Sequence, residues 1–245
     1  MKFYYSKKLA PFPNLTHAFT SRKSGNLAFH VGDNESSVEK NHILLANTLE
    51  YDKETLVHMK QIHSDLVCVV GDENFAAPPT CDALITDRKN TPLMVMVADC
   101  SAVLFYDNQQ KVIAVAHAGR AGAFKNIVKI VIEKMSKEFG SNPKDIHVSI
   151  GASIGVCCYE VGNEIYEEAK ALHLEYAMQK QDNKFYLDVN KILKKQLIEC
   201  GIDEQNIEIF NECTSCNTDK YFSYRAEKQT GRFAGVLMIK DNCNL

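Results

Sequence analysis

Three apolar runs follow one another closely between Leu93 and Ala116, and they restrict what this chain can fold into more than any other feature. Leu93-Met94-Val95-Met96-Val97 has no polar residue, as expected of a strand buried on both faces. Ser101-Ala102-Val103-Leu104-Phe105-Tyr106 and Lys111-Val112-Ile113-Ala114-Val115-Ala116 flank the polar loop Asp107-Asn108-Gln109-Gln110, which predicts a β-hairpin. With Tyr106 paired to Lys111, Cys100 falls opposite His117. Directly opposed side chains in an antiparallel pair lie roughly 4.5–5.5 Å apart at Cβ. A thiol and an imidazole at that spacing can share a proton or a metal ion.

The rest of the chain supplies alternating strands and helices. A polar loop over residues 21–26 precedes the short apolar run 27–31. Ser36 and Glu39 have capping-box spacing and predict a helix to about Leu49, with Ile43, Leu44 and Leu49 on its buried side. Residues 66–70 and 82–86 predict strands. Ala118-Gly119-Arg120-Ala121-Gly122 predicts a tight turn into a helix whose apolar face is Phe124, Ile127, Val128, Val131 and Met135. Gly140 and Pro143 end it. Further strands are expected over 146–150, 185–187, 207–210 and 233–239, with helices over 163–173 and 189–200, the latter capped by Asp188. No linker, repeat or composition shift interrupts the 245 residues, so one α/β domain spanning 1–245 is expected.

Charge and cysteine usage narrow the function classes. A net charge of −3 without a basic run gives no reason to expect nucleic acid or an anionic membrane as partner. No apolar run approaches the roughly 20 residues of a membrane helix, and the N-terminus lacks a signal core, so a cytoplasmic location is expected. In that setting nine cysteines, Cys243 among them, point to metal binding or catalysis before disulfides.

His63, Cys100 and His117 together make a Cys/His₂ set. Three protein ligands with an open fourth position is the pattern of catalytic zinc, whose bound water has a pKa near about 7. A metal-free alternative stands beside it, in which His117 activates a Cys100 thiolate for nucleophilic attack, as in an amidase. Asp99 is a candidate partner that orients His117 or His63; Asp82 is a weaker one. The turn at 118–122 offers a helix N-terminus to an anion. Arg225 and Arg232, in one late loop with Tyr224, suit clamping a phosphate or stacking on a base. Cys213-Thr214-Ser215-Cys216 is a CxxC, but a zinc ribbon needs a second such pair and Cys157-Cys158 are adjacent, so a structural role is preferred for it.

Eight motifs then occur in a familiar order: Gln61-Ile62-His63, Asp82-Ala83-Leu84-Ile85-Thr86, Ala98-Asp99-Cys100, His117-Ala118-Gly119, Cys158-Tyr159-Glu160-Val161-Gly162, Cys213-Thr214, Phe222-Ser223-Tyr224-Arg225 and Thr230-Gly231-Arg232. Over about residues 15–240 the chain resembles the YfiH family, also called the laccase-domain or multicopper polyphenol oxidoreductase family and, in some usage, peptidoglycan editing factor. The resemblance implies a four-layer α/β/β/α domain with a mixed β core. It implies zinc-dependent purine nucleoside chemistry: phosphorolysis of adenosine, inosine, guanosine and methylthioadenosine, and deamination of adenosine. By motif, His63, Cys100 and His117 would hold the metal, and purine nucleoside and phosphate would be the ligands.

Two positions depart from the pattern. The family usually reads His-Ala-Gly-Trp-Arg-Gly, where this chain has Arg120-Ala121; if the family arginine holds phosphate, either Arg120 substitutes from another direction or phosphorolysis is weakened. A family Gly-Pro is Gly151-Ala152 here. The laccase label suggests copper and phenol oxidation, but eight histidines without a His-x-His pair do not readily build a multicopper cluster. A single copper at the Cys/His₂ site is the less favoured alternative to zinc.

Overall fold

The structure is a computed structural model and describes residues 1–241; Cys243 lies outside the described residues. Among the described residues twelve strands form three sheets. In chain order they are β1 (Leu15–Phe19), β2 (Val67–Val69), β3 (Ala83–Thr86), β4 (Leu93–Val97), β5 (Ser101–Asp107), β6 (Val112–Ala118), β7 (Ile146–Ile150), β8 (Glu160–Val161), β9 (Met178–Gln181), β10 (Lys184–Leu187), β11 (Ile207–Ile209) and β12 (Phe233–Ile239). The helices are α1 (Glu35–Leu49), α2 (Glu73–Ala76), α3 (Arg120–Phe124), α4 (Ile127–Phe139), α5 (Asn163–Ala171), α6 (Val189–Glu199) and α7 (Tyr224–Glu227).

Side-chain alternation along the strands sorts these elements into four layers. A six-stranded sheet runs β11-β7-β5-β6-β3-β2, and a three-stranded sheet runs β1-β12-β4. Leu84, Leu104, Tyr106, Ile113 and Val115 of the larger sheet pack against Leu93, Val95, Phe233 and Leu237 of the smaller. The opposite face of the larger sheet, with Ile85, Val103, Phe105 and Ala116, is covered by Ile127, Val131 and Met135 of α4 and Ile192 and Leu193 of α6. Met94, Met96, Ala234 and Val236 face out of the smaller sheet onto Leu45 and Leu49 of α1. Each apolar strand is therefore buried on both faces, and the order of layers is the α/β/β/α expected. The third sheet, β8-β10-β9, is small and peripheral.

Several local expectations change. The hairpin pairs Asp107 with Val112 and Tyr106 with Ile113, so its loop is residues 108–111 and the register is displaced by two from the expected one. Asp107 joins the strand because its buried carboxylate accepts from the backbone N–H groups of Gln109 and Gln110, closing the loop from within. Helix α1 is capped by Asn34, whose side chain accepts from Ser37 N, instead of by Ser36. Ile43 and Leu44 are exposed on it, and Val38, His42, Leu45, Ala46 and Leu49 form its buried face. The helix expected after Gly119 is broken in two at Asn126, which has φ of 59°. Strands β8 and β9 arise from polar segments with no apolar alternation to announce them.

Candidate active site

His117 lies near the end of β6 with its imidazole buried. Its Nδ1 is 2.8 Å from Oδ1 of Asp82, which leaves Nε2 as the free ring nitrogen. Asp82 is fully buried at the start of β3, and its carboxylate also accepts from the N–H groups of Ile62 (3.2 Å), His63 (3.0 Å) and Ser64 (2.6 Å) and from Ser64 Oγ (2.7 Å). One carboxylate thus fixes both histidine-bearing segments. His63 sits at φ 58°, a left-handed conformation held by those bonds and by Gln61, whose side chain pairs with Met96 N and O of β4.

Cys100 precedes β5, and continuing the hairpin register places it opposite Gly119, not His117. A Cβ on Gly119 would stand 2.5 Å from Cys100 Sγ, so the thiol occupies the space that the missing side chain leaves. Despite the changed register the two groups meet, because the thiol leans across the strand end toward His117. Ligand atoms of His63, Cys100 and His117 all lie within 4.8 Å of one another, and the two imidazole rings meet edge-on at 4.7 Å. The three form a group that can hold a metal ion.

Electrostatics at this cluster favour the thiolate. Burial pushes the Cys100 thiol up, but the His117 charge and hydrogen bonds from His117 and His63 more than reverse that, bringing it down to about 6. For His117, burial opposes the charged form, while Cys100 and Asp82 overcome it and raise the imidazole to about 9. Burial likewise opposes charge on Asp82, and bonds from His117 and Ser64 outweigh it, so this carboxylate stays ionised well below the usual range. With the proton placed on His117, the cluster is a thiolate–imidazolium pair when no cation replaces that proton.

The expected partner role of Asp99 passes to Asp82. Asp99 has φ of 85°, and its carboxylate accepts from Thr214 Oγ1 and Arg225 N, both at 2.6 Å. It anchors the late loop to the start of β5 and does not reach either histidine by hydrogen bond.

The cluster lies at the floor of a cleft of about 1180 Å³. All the expected site residues line it: Asp99, Arg120, Tyr224, Arg225 and Arg232 as well as His63, Cys100 and His117. Arg225 is held by the carbonyls of Cys158 and Glu160 and lies over the Tyr159 ring at 5.1 Å. Arg232 donates to the carbonyls of Thr230 and Gly231. Arg120 pairs with Glu168 at 2.8 Å. Helix α3, at whose start it sits, has only five residues, too few to give the anion site expected there a substantial helix dipole. Tyr224 is 55% exposed and presents its ring at the mouth. Residues not singled out in the sequence complete the walls, including His30, His58, Lys60, Tyr159 and Lys228.

Residues 16–240 match the family described as multi-copper polyphenol oxidoreductase laccase. A purine nucleoside phosphorylase of Corynebacterium glutamicum is 35% identical over 232 residues, covering 90% of this chain and 93% of that protein. The purine nucleoside phosphorylase YlmD of Bacillus subtilis is 29% identical over 231 residues, covering 89% and 83%. Among solved structures, YfiH of Bacillus licheniformis superposes with a TM-score of 0.88 at 30% identity, covering 92% of this chain and 93% of that one. YlmD of Geobacillus stearothermophilus gives 0.88 at 26% identity, covering 94% of each. Among the described residues no helix is long and apolar enough to cross a membrane.

Proposed function

The chain belongs to the multi-copper polyphenol oxidoreductase laccase family, and from that premise we propose that it is a zinc-dependent purine nucleoside phosphorylase that also deaminates adenosine. One observation carries the reading: the donor set His63, Cys100 and His117 forms the floor of a cleft with room for a nucleoside and a phosphate, under walls bearing Lys60, Arg120, Arg225, Lys228 and Arg232. The names of the relatives supply the substrate class.

The donor chemistry fits zinc. A depressed thiol, two imidazoles, and a buried carboxylate that fixes the outer nitrogen of His117 are the parts of a catalytic zinc site with its orienting partner. When bound by His63, Cys100 and His117, zinc would supply a Lewis acid that positions phosphate or activates water. The chain's own residues do the rest. Arg120, Arg225 and Arg232 offset the charge of phosphate, and Tyr159 and Tyr224 offer ring faces to purine or ribose. In phosphorolysis an oxygen of phosphate forms the new bond to the anomeric carbon. The glycosidic C–N bond breaks, and its electron pair leaves with the purine, which takes up a proton. In deamination water adds at C6 of adenosine, and ammonia departs to leave inosine. Adenosine, inosine, guanosine and methylthioadenosine share the ring and ribose that such a cleft would hold.

Two rivals use the same residues. A cysteine hydrolase would use the Cys100 thiolate directly. A polyphenol oxidase would need copper, and although His₂Cys donors suit one copper ion, the other donor cluster among the described residues contains no histidine. Purified protein of known metal content, incubated with adenosine, separates all three. Phosphate-dependent release of adenine and phosphate-independent formation of inosine and ammonia are expected, both abolished by Cys100→Ala. Zinc-loaded protein that forms neither product overturns the proposal.

A further inference from the structure

Four cysteines outside the cleft floor meet at one point. Cys157 and Cys158 are on the loop that follows β7, and Cys213 and Cys216 on the loop that follows β11. Because β7 and β11 are parallel neighbours, both loops leave the same end of the larger sheet, and Thr214 N bonds Ser153 O to continue the pairing. The four sulfurs all lie within 4.8 Å of one another, with Cys216 Sγ 3.3 Å from Cys158 Sγ and 3.7 Å from Cys157 Sγ. The second cysteine pair that the CxxC lacked in sequence is supplied by the fold.

We propose that Cys157, Cys158, Cys213 and Cys216 bind a second metal ion, a single tetrahedral Zn²⁺ that staples these two loops. Zinc–sulfur bonds of about 2.3 Å place tetrahedral ligands about 3.8 Å apart, the scale of the spacing here. An iron–sulfur cluster would hold its thiolates further apart, since the iron and sulfide atoms lie between them. The cradle is shaped around sulfur. Gly155 N donates to Cys213 Sγ at 3.2 Å, and the backbone of Cys216 bonds the same sulfur. A Cβ on Gly155 would stand 3.2 Å from both Cys157 Sγ and Cys213 Cβ, so this residue lies hard against the cluster. Asn217 closes the turn by donating to Cys213 O.

The staple bears on the cleft without touching its floor. The carbonyl of Cys158 accepts from Arg225, the next residue is the Tyr159 beneath that arginine, and Thr214, between the two ligating cysteines of its loop, holds Asp99. Loss of the ion would loosen the wall that carries Arg225, while His63 and His117 stay anchored through Asp82. This site stands whether or not the nucleoside reading holds, because its readout is metal content.

The test is metal stoichiometry and cobalt spectroscopy on the full chain, purified under reducing conditions. Wild-type protein is expected to hold two zinc ions per chain, and Cys100→Ala to retain one. Replacing that remaining zinc with Co²⁺ in the Cys100→Ala protein should give intense thiolate-to-cobalt charge transfer and tetrahedral d–d bands. Cys213→Ser/Cys216→Ser should lose the second ion; should it fail to fold, alkylation of the native wild type serves instead, with the four cysteines protected until a chelator is added. A metal-free Cys100→Ala protein overturns the proposal. So does a Cys158–Cys216 disulfide in peptide mass spectra, or unhindered alkylation of all four thiols in the zinc-loaded protein.

Discussion

Asp82 and His117 form a fully buried ion pair at 2.8 Å whose carboxylate also holds the backbone of the segment carrying His63. One side chain thereby sets the position of two of the three donors at the cleft floor. Asp82→Asn keeps the size of the side chain but turns an NH₂ group toward N–H donors on one of its two sides. Metal affinity is expected to fall about 10–100-fold, with a loss of at least about 2 kcal/mol in stability from the mismatched buried groups. Competitive metal titration and thermal unfolding of the same variant check both effects.

Gly119 gives Cys100 its place. At φ −85° the backbone would accept any residue, so the cost of a side chain there is purely steric. Gly119→Ala should move the thiol by a substantial part of an ångström and lower stability by the roughly 1–3 kcal/mol of overpacking a buried site. A displacement of about 1 Å at a reacting group can cost about 10²-fold in rate. Turnover of adenosine by a normally folded variant at wild-type rate would refute the packing account.

Arg120 lines the cleft, and its guanidinium is engaged with Glu168. Both partners are about a third or more exposed, so the pair is worth at most about 1 kcal/mol and opens readily. Arg120 is expected to turn to phosphate when phosphate is present. Arg120→Ala should raise the KM for phosphate several-fold with little change for the nucleoside, and Glu168→Gln should lower it. Equal phosphate KM values in all three proteins would remove Arg120 from the site.

Stability should fall on mild acidification through His17. Burial holds its imidazole below the usual value of 6.5, only partly offset by the Glu208 carboxylate, and its Nε2 accepts from Ser6 N. A depressed histidine means that the unfolded chain binds the proton more readily. The contribution is therefore intact above about pH 6.5 and is lost as pH falls from there through the lowered folded value. Thermal unfolding between pH 8 and 5 should show the decline, and His17→Gln, which can still accept from Ser6, should make it shallower, the remainder coming from His42 and His58, which burial also holds down.

The layers were readable because the strands of the core announce themselves: β4, β5, β6 and β12 are apolar on both faces and are buried on both. Register was less so, since Asp107 has the composition of a loop residue and earns a strand position only by folding its carboxylate over the turn. The donor set His63, Cys100 and His117 was legible as residue types, and the structure brings all three together. Which aspartate serves His117 was not, as nothing local separates Asp82 from Asp99; the choice rests on the pairing of β3 with β6, which brings position 82 beside 117. The four-cysteine cluster depends likewise on a pairing, of β7 with β11, between strands more than fifty residues apart.

The smaller sheet has the order β1-β12-β4, so the last strand described is the one at its centre. β1 and β4 each hydrogen-bond to it and are not paired with each other. During synthesis both would leave the ribosome long before the strand that pairs them, with the apolar face that later meets the larger sheet still uncovered. Closure must wait for residues 233–239, and any nascent chain stopped short of them carries two open strand edges that invite association with other chains. Chaperone demand for this protein should therefore be concentrated in the interval before residues 233–239 emerge, when most of the cleft's donors are already out but the sheet that backs them cannot yet form.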